Sequence, residues 1–142
     1  FSDNAHQLGI ETHCFAWKKG AVAADFVDYF YPISIFEKDQ ILEKCKELEI
    51  TGVVATTELT IPIAAYIAEK LNLNSISYED AQNITNKYRN RMCTLDVKNL
   101  NHPRFALVST RNDILKLNFK FPFVLKPSNL GGGKEVFQLL KI

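Results

Sequence analysis

The sequence predicts an α/β fold with a parallel sheet. Short apolar runs, rich in β-branched and aromatic residues, alternate with amphipathic stretches of about a dozen residues, as they do in βαβ units. Hydrophobic residues make up 46% of the chain and charged residues 23%, which is typical of globular proteins. The length of 142 residues suffices for one domain, or for a small domain and the beginning of another.

The first half of the chain carries the alternating elements. Residues 10–17 and residues 26–35 are strand-like. Residues 37–49 place apolar side chains at helical spacing opposite lysines and glutamates, which predicts an amphipathic helix. Residues 52–55 predict a short buried strand. Residues 61–71 predict a helix, in which a proline is tolerated because it lies in the first turn.

A polar helical pair is predicted from residue 78 to residue 97. Ser77, followed three residues later by Asp80, is an N-terminal capping signal. We expect an interruption near Thr85 and Asn86. The polarity of the pair indicates a connector rather than a core element.

The pattern changes after residue 103. Residues 105–108 predict a strand, residues 112–117 a short helix, and residues 121–126 a second strand. Residues 136–142 predict a third strand, antiparallel to the second and joined to it by a glycine-rich turn. The chain is therefore expected to contain three parts: residues 1–77, 78–103 and 104–142.

Charge and cysteine content exclude several classes of protein. Seventeen basic and sixteen acidic residues leave a net charge of +1, which predicts neither nucleic acid nor membrane as a partner. Cys14, Cys45 and Cys93 are too scattered for a zinc site or a disulfide framework. The apolar runs are too short to span a bilayer, and residues 1–20 lack the core of a signal peptide. We expect a cytoplasmic protein.

The glycine-rich segment is the strongest candidate for chemistry. A strand ends at Lys126, a proline stops it, and Gly131, Gly132 and Gly133 allow the backbone to approach a ligand closely. Backbone N–H groups of such a loop can bind an anion, and a nearby ammonium adds charge for phosphate. The loop is not a Walker A motif, which requires glycine where Ser128 stands. The alternative is a flexible hairpin with incidental lysines.

Three segments carry a resemblance to a known family. Residues 68–91 read AEKLNLNSISYEDAQNITNKYRNR, residues 103–109 read PRFALVS, and residues 121–136 read FPFVLKPSNLGGGKEV. In this order they resemble the start of an ATP-grasp domain. Residues 9–35 and 48–55 resemble the preceding α/β domain of ligases similar to carbamoyl-phosphate synthase and biotin carboxylase.

The resemblance implies an architecture for each part of the chain. Residues 1–77 would form a Rossmann-like, parallel-sheet pre-ATP-grasp domain that lacks its first strand, which is expected before Phe1. Residues 78–103 would form a helical connector, and residues 104–142 the beginning of the ATP-grasp N-terminal α+β subdomain. The adenine-contacting hinge and the magnesium ligands are expected beyond Ile142.

The resemblance also assigns nucleotide-binding residues. Lys87 corresponds to the family lysine that contacts nucleotide phosphate, and Lys126 to the strand lysine that reaches the ATP phosphates. Arg91, one helical turn after Lys87, is a weaker candidate. The remaining predicted contacts lie in the glycine-rich loop: Ser128, Gly131, Gly132, Gly133 and Lys134. The loop departs from the family pattern because it lacks a serine beside its glycines, and no residue of this chain is assigned a catalytic or metal-binding role.

The implied activity is that of an ATP- and Mg²⁺-dependent ligase. Such an enzyme would activate a small carboxylate as an acyl phosphate for attack by an amine or similar nucleophile, whereas the fragment itself is expected to be inactive. An unsatisfied sheet edge would allow a homodimer. The alternative is a non-catalytic, Rossmann-like module that binds a nucleotide or metabolite, although GxGxxG is absent.

Two further groups of residues have structural and functional interpretations. Thr56, Thr57 and Glu58 follow a predicted strand, where they would face the ligand crevice of an open α/β sheet. Helix capping by Thr57 or Thr60 is the favoured interpretation. The three histidines share no metal-binding spacing, and we expect them to be surface or packing residues: His6, His13 and His102.

Overall fold

The computed structural model describes residues 1–133 and 135–141. Helices and short strands are mixed along the chain, and a 3-10 turn precedes β2 and another precedes α3. The elements in chain order are α1 (Ser2–Gln7), β1 (His13–Phe15), a 3-10 turn (Val22–Asp25), β2 (Tyr29–Tyr31), α2 (Lys38–Glu47), a 3-10 turn (Glu58–Thr60), α3 (Ile61–Lys70), α4 (Tyr78–Thr85), α5 (Lys87–Cys93), α6 (Arg111–Leu115), β3 (Phe123–Leu125) and β4 (Phe137–Leu139).

The parallel sheet consists of β1 and β2 in the described part of the chain. His13 pairs with Tyr29, Cys14 with Phe30 and Phe15 with Tyr31. The prediction of a parallel sheet is confirmed, but the sheet is small, and each strand covers only three residues of the longer apolar run that predicted it.

The hydrophobic core lies between α2 and α3. Ile41, Leu42 and Cys45 of α2 pack with Ile67 of α3, and each of the four is at most 6% exposed. Amphipathic spacing predicted α2, because residues three or four apart lie on one helix face, and the sequence also predicted the helix that forms α3. Partly buried side chains surround this cluster: Phe15, Ile33, Ile50, Val53, Ile63, Tyr66 and Leu71.

Two predicted strands are wrong. Residues 52–55 form no ladder; Val53 packs against the core, whereas Val54 is 63% exposed. Residues 105–108 are also irregular, and Leu107 is 57% exposed. A strand requires a neighbouring strand for its backbone N–H and C=O groups. In the described residues β1 pairs only with β2, and β3 only with β4. Apolar composition alone was therefore not enough to make residues 52–55 and 105–108 strands.

The helical pair begins and breaks where the sequence predicted. The Ser77 hydroxyl oxygen accepts a hydrogen bond from the Asp80 N–H at 3.0 Å and caps α4. α4 packs along α3, and Ala81 is completely buried there. Asn86, in an extended conformation, separates α4 from α5. The first helix of this polar pair, α4, therefore packs against α3, which contributes to the core.

A lysine held by two tyrosines joins the three helices α2, α3 and α4. Lys38 Nζ lies 4.1 Å from the ring centre of Tyr66 and 5.0 Å from that of Tyr78. The Tyr66 hydroxyl donates to Asp39 Oδ1 at 2.6 Å, and this hydrogen bond to a carboxylate raises the pKa of Tyr66. Cation–π contacts of this kind add specificity to helix packing at a partly exposed site.

The C-terminal part contains a short helix and a β-hairpin. Thr110 caps α6 by accepting from the Asp113 N–H, while the Asp113 carboxylate accepts from the Thr110 N–H. Phe123 pairs with Leu139 and Leu125 with Phe137, so β3 and β4 are antiparallel, as predicted. In the described residues no helix has the length and apolarity needed to cross a membrane.

The N-terminal helix α1 was not predicted, and Asp28 ties it to the sheet. Asp28 Oδ2 accepts from the Thr12 N–H at 2.8 Å and from the Thr12 hydroxyl at 2.7 Å. His6 Nε2 of α1 lies 3.0 Å from the same oxygen. The hydrogen bonds from Thr12, with a smaller contribution from His6, lower the pKa of Asp28 to about 2.

Replacing Ile67 with Ala should destabilise the fold by about 2–5 kcal/mol because the change leaves a cavity in the core. The matched control is Ile84→Ala, which truncates a helical isoleucine that is 51% exposed. We expect the control to change the free energy of unfolding by less than about 1 kcal/mol. Urea denaturation of both variants measures the difference, and equal losses would contradict this description of the core.

The Asp28 contacts predict a specific acid sensitivity. The pKa of Asp28 is below its ordinary value of 3.8 in the folded chain, so its contribution to stability is present above pH 3.8. That contribution is lost as the pH falls toward 2 and the carboxylate becomes protonated. Between these pH values wild-type protein should lose more stability than Asp28→Asn. Parallel denaturation profiles of the two proteins over this range would contradict the assignment.

Candidate functional site

A cavity of about 700 Å³ lies between the first turns of α5 and the C-terminal part of the chain. Its size is within the range of small-molecule binding sites. Cationic, polar, aromatic and aliphatic side chains all contribute to its lining. The residues that line it are Lys87, Tyr88, Arg91, residues 103–108, Ile114, Leu117, Phe119 and residues 123–129.

The beginning of α5 is held by local capping and by the glycine-rich loop. The Asn86 side-chain oxygen accepts from the Tyr88 N–H at 3.1 Å and from the Arg89 N–H at 3.0 Å. The Lys87 N–H donates to the Ser128 carbonyl at 2.7 Å. These bonds satisfy N–H groups that have no partner within the helix itself. They position Lys87 at the edge of the cavity.

The Lys87 side chain is in contact with the glycine-rich loop. Its ammonium Nζ donates to the Leu130 carbonyl at 2.6 Å. Together with the backbone bond to Ser128, this gives Lys87 two hydrogen bonds to one short segment. The Lys87 side chain is 32% exposed, so its charge remains accessible from solvent. Spacing in the sequence could not predict these contacts, because they join residues far apart along the chain.

Glu58 approaches the same loop from the other side. Its Oε1 lies 3.9 Å from Lys87 Nζ. A methyl group on Gly131 would overlap the Glu58 carboxylate and displace that flexible side chain. The sequence placed Glu58 only at a strand end that faces a crevice. Its proximity to Lys87 and Gly131 was not predicted.

Lys126 lies on the same cavity as Lys87. β3 ends at Leu125, and Lys126 follows it in an exposed position, with Ser128 two residues further on. Arg91 also lines the cavity, and its guanidinium carbon lies 5.5 Å from the ring centre of Phe105. The structure therefore brings both predicted lysines and the weaker candidate Arg91 to one cleft. Their roles toward a ligand stay predictions.

Two of the loop glycines adopt backbone conformations that favour glycine. Gly132 and Gly133 have φ angles of 70° and 69°, in the left-handed region that other residues rarely adopt. Gly131 is in close contact with the Glu58 carboxylate, which an added methyl group would push aside. Lys134 lies outside the described residues.

Aromatic side chains form the apolar wall of the cavity. The rings of Phe119 and Phe123 meet edge to face at 5.9 Å, and Phe105 is similarly placed against Tyr88 at 5.8 Å. Arg104 covers Phe119, with its guanidinium carbon 4.9 Å from the ring centre. The cavity lining therefore combines cationic groups with aromatic rings, and these groups suit a ligand that carries both anionic and flat apolar parts.

The segment beside the cavity is fixed by Asp113 of α6. Hydrogen bonds from the Ser109 N–H, and from the hydroxyl and N–H of Thr110, lower the pKa of Asp113. Asp113 is therefore a capping carboxylate that orders the turn leading from residue 108 into α6. Ile114, the next residue, contributes to the cavity wall.

The other candidates are structural. The Thr60 hydroxyl accepts from the Thr57 N–H at 3.2 Å and donates to the Thr57 carbonyl at 2.8 Å, in agreement with the capping interpretation. His13 is stacked between Tyr29 and Tyr31. His102 lies 2.9 Å from the Thr94 carbonyl. In residues 1–133 and 135–141 no three histidine, cysteine, aspartate or glutamate side chains form a group that could hold a metal ion.

Comparison with solved structures identifies the architecture. The chain is similar to the L-amino acid ligase from Bacillus licheniformis, with 25% sequence identity and a TM-score of 0.81. This similarity covers 98% of the present chain and 35% of the ligase. It is also similar to the biotin carboxylase domain of the Hydrogenobacter thermophilus 2-oxoglutarate carboxylase, crystallised as a dimer with MgADP, ADP and bicarbonate. There the identity is 15%, the TM-score 0.69, and the coverage 96% of this chain and 34% of the other.

Both of these proteins are ATP-grasp enzymes, and the chain shares their fold over almost its whole length. The resemblance to the ATP-grasp superfamily is thereby confirmed. The chain spans about a third of the length of either protein. No protein-family profile matches the sequence. No curated protein matches it either.

The capping of α5 can be tested by mutation. Asn86→Ala should lower stability by about 0.5–2 kcal/mol because two N–H groups lose their acceptor. Asn86→Asp retains a side-chain acceptor and is the matched control, with a loss of well under 1 kcal/mol. Thermal or urea denaturation measures both, and equal stability of the two variants would contradict the capping role.

Proposed function

We propose that this chain binds ATP in the cavity between α5 and the β3 strand, and that it forms part of an ATP- and magnesium-dependent ligase. The similarity to two ATP-grasp enzymes supports an ATP-dependent ligase at the general level. Lys87, Lys126 and the glycine-rich loop are the proposed phosphate-binding groups.

The observation that carries this proposal is the shared cleft of Lys87 and Lys126. Two lysines that are far apart in the sequence line one cavity, together with Ser128 and Asn129, which precede the three consecutive glycines. The same cavity is lined by Phe105, Phe119 and Phe123. A nucleotide carries groups that match both kinds of side chain, since its phosphates are anionic and its base is flat and mostly apolar.

Each group of residues would have a physical task. The ammonium groups of Lys87 and Lys126 would neutralise phosphate charge, and this needs no proton transfer by either lysine. The backbone N–H groups of the loop would add donors to phosphate oxygens. The loop would also exclude water from a reactive phosphorylated species. We assign Arg91 a secondary position, because its guanidinium already lies against Phe105.

The described residues do not by themselves fit a magnesium site. They contain no group of three metal-binding side chains, and Glu58 is the one carboxylate already placed beside Lys87. No step of the proposed chemistry is therefore assigned to a metal held by this part of the chain.

The proposed reaction class is ligation through carboxylate activation. The ligase would convert a small carboxylate into an acyl phosphate, and an amine or similar nucleophile would then displace phosphate. The proposed division of the chain is a pre-ATP-grasp part at 1–77, a connector at 78–103 and the beginning of an ATP-grasp subdomain at 104–142. The pairing of two chains through a sheet edge stays a prediction.

Lys126→Ala in the full-length protein should weaken ATP binding at least tenfold, or by about 1.4 kcal/mol, because it removes one positive charge from the phosphate site. Lys87→Ala should have a similar effect. Adenosine lacks phosphates, so both variants should bind it as wild type does. Isothermal titration with ATP and with adenosine measures both affinities.

The matched control is Lys98→Ala, which removes an exposed lysine outside the cavity. It should leave ATP affinity within about twofold of wild type. Undiminished ATP affinity in Lys126→Ala would remove the phosphate role. Binding of a metabolite other than a nucleotide would favour the non-catalytic module instead.

A further inference from the structure

We infer that Glu58 is a positioning residue that competes with nucleotide phosphate for Lys87. In the ligand-free chain the Glu58 carboxylate would hold the Lys87 ammonium and the glycine-rich loop together, and phosphate would take its place at Lys87. This inference rests on the proposed function, since it concerns the same site.

Glu58 is anchored independently of the loop. It is the first residue of the 3-10 turn Glu58–Thr60, whose backbone is held by the mutual hydrogen bonds of Thr57 and Thr60. The turn leads directly into α3, which belongs to the hydrophobic core. The carboxylate therefore projects toward the loop from a fixed part of the fold.

The loop and Lys87 meet Glu58 at the same place. Lys87 Nζ lies 3.9 Å from Glu58 Oε1 and 2.6 Å from the Leu130 carbonyl. The adjacent Gly131 is in such close contact with Glu58 that an added methyl group would displace the carboxylate. Glu58, Lys87 and the segment Leu130-Gly131 thus form one cluster, which we call the loop clamp.

Electrostatics decides which anion Lys87 prefers. The pair of Lys87 and Glu58 is partly exposed, at 32% and 43% of the respective side chains, so solvent screens it strongly. A triphosphate carries several negative charges and would gain more from Lys87 than a single carboxylate does. Phosphate can therefore use Lys87 fully only after the ammonium has left the Glu58 carboxylate. Glu58 therefore lowers nucleotide affinity and favours the clamped loop when the site is empty.

Glu58→Gln tests both parts of this inference in the full-length protein. The change removes the negative charge and keeps the size of the side chain. ATP affinity should increase about three- to tenfold, measured by titration at low ionic strength. Amide hydrogen exchange in residues 128–133 of the ligand-free protein should become about two- to fivefold faster, because the clamp is weakened.

Glu43→Gln is the matched control for charge. Glu43 lies 2.8 Å from Lys46 in an exposed pair on α2, outside the cavity. This variant should change neither ATP affinity nor loop exchange. In the Lys87→Met background, Glu58→Gln should no longer increase ATP affinity, because the lysine for which carboxylate and phosphate compete is absent.

Gly131→Ala is a second, independent way to move the Glu58 carboxylate away from the loop. Gly131 does not have a positive φ, so alanine is tolerated by the backbone, and its methyl group should push the Glu58 carboxylate away. Loop exchange should then increase as in Glu58→Gln. The matched control is Gly52→Ala, since a methyl group at Gly52 meets no neighbour within 4 Å.

The outcomes separate this inference from the proposed function. If wild type binds ATP but Glu58→Gln binds it with equal or lower affinity, competition is overturned and the nucleotide site stands. If Glu58→Gln gains the same affinity in the Lys87→Met background, general repulsion replaces the loop clamp. If wild type binds no ATP, both the proposed function and this inference are overturned.

Discussion

Lys87 stands at the first position of α5, and from there it makes two hydrogen bonds to the glycine-rich loop. Its backbone N–H reaches Ser128 and its ammonium reaches Leu130, at 2.7 and 2.6 Å. Asn86 caps the following residues of the helix, so the helix start and the loop are held together. This connection fixes one of the cationic groups of the cavity, which Arg91 and Lys126 also line. The position of Lys87 is therefore the constraint on which the arrangement of the site depends.

The packing of the other helices determines the position of Lys87. α2 and α3 bury the hydrophobic cluster around Ile67, and α4 is fastened to α3 through the completely buried Ala81. α5 follows α4 after a single extended residue, Asn86. Packing in the core thus determines where α5 begins. It also determines where Glu58 projects, because the turn that carries Glu58 continues directly into α3.

The lining of the cavity combines cationic and aromatic side chains, and these side chains, rather than the fold, bear on function. Shared architecture with an L-amino acid ligase and with a biotin carboxylase domain establishes the fold, whereas function depends on the site. Here Lys87 and Lys126 line the same cavity as Phe105, Phe119 and Phe123. Glu58 adds a negative charge 3.9 Å from the ammonium of Lys87. In the competition that we infer, a polyanionic ligand would take the place of this carboxylate at Lys87.

Local patterns in the sequence determined the α/β class, helices α2 and α3, the cap at Ser77, the break at Asn86 and the hairpin of β3 and β4. These features depend on residues close together along the chain, where spacing and capping chemistry act directly. The sequence also selected Lys126, from its place before the glycine-rich loop and from family resemblance, and Lys87 from the resemblance alone.

Tertiary structure decided which apolar segments became strands, because strand formation depends on a partner elsewhere in the chain. Residues 52–55 and 105–108 lack such a ladder, and α1 is tied to the sheet through Asp28. Tertiary structure also placed Glu58 beside Lys87 and Gly131. No local spacing encodes that contact, since it arises only when the core has brought distant segments together.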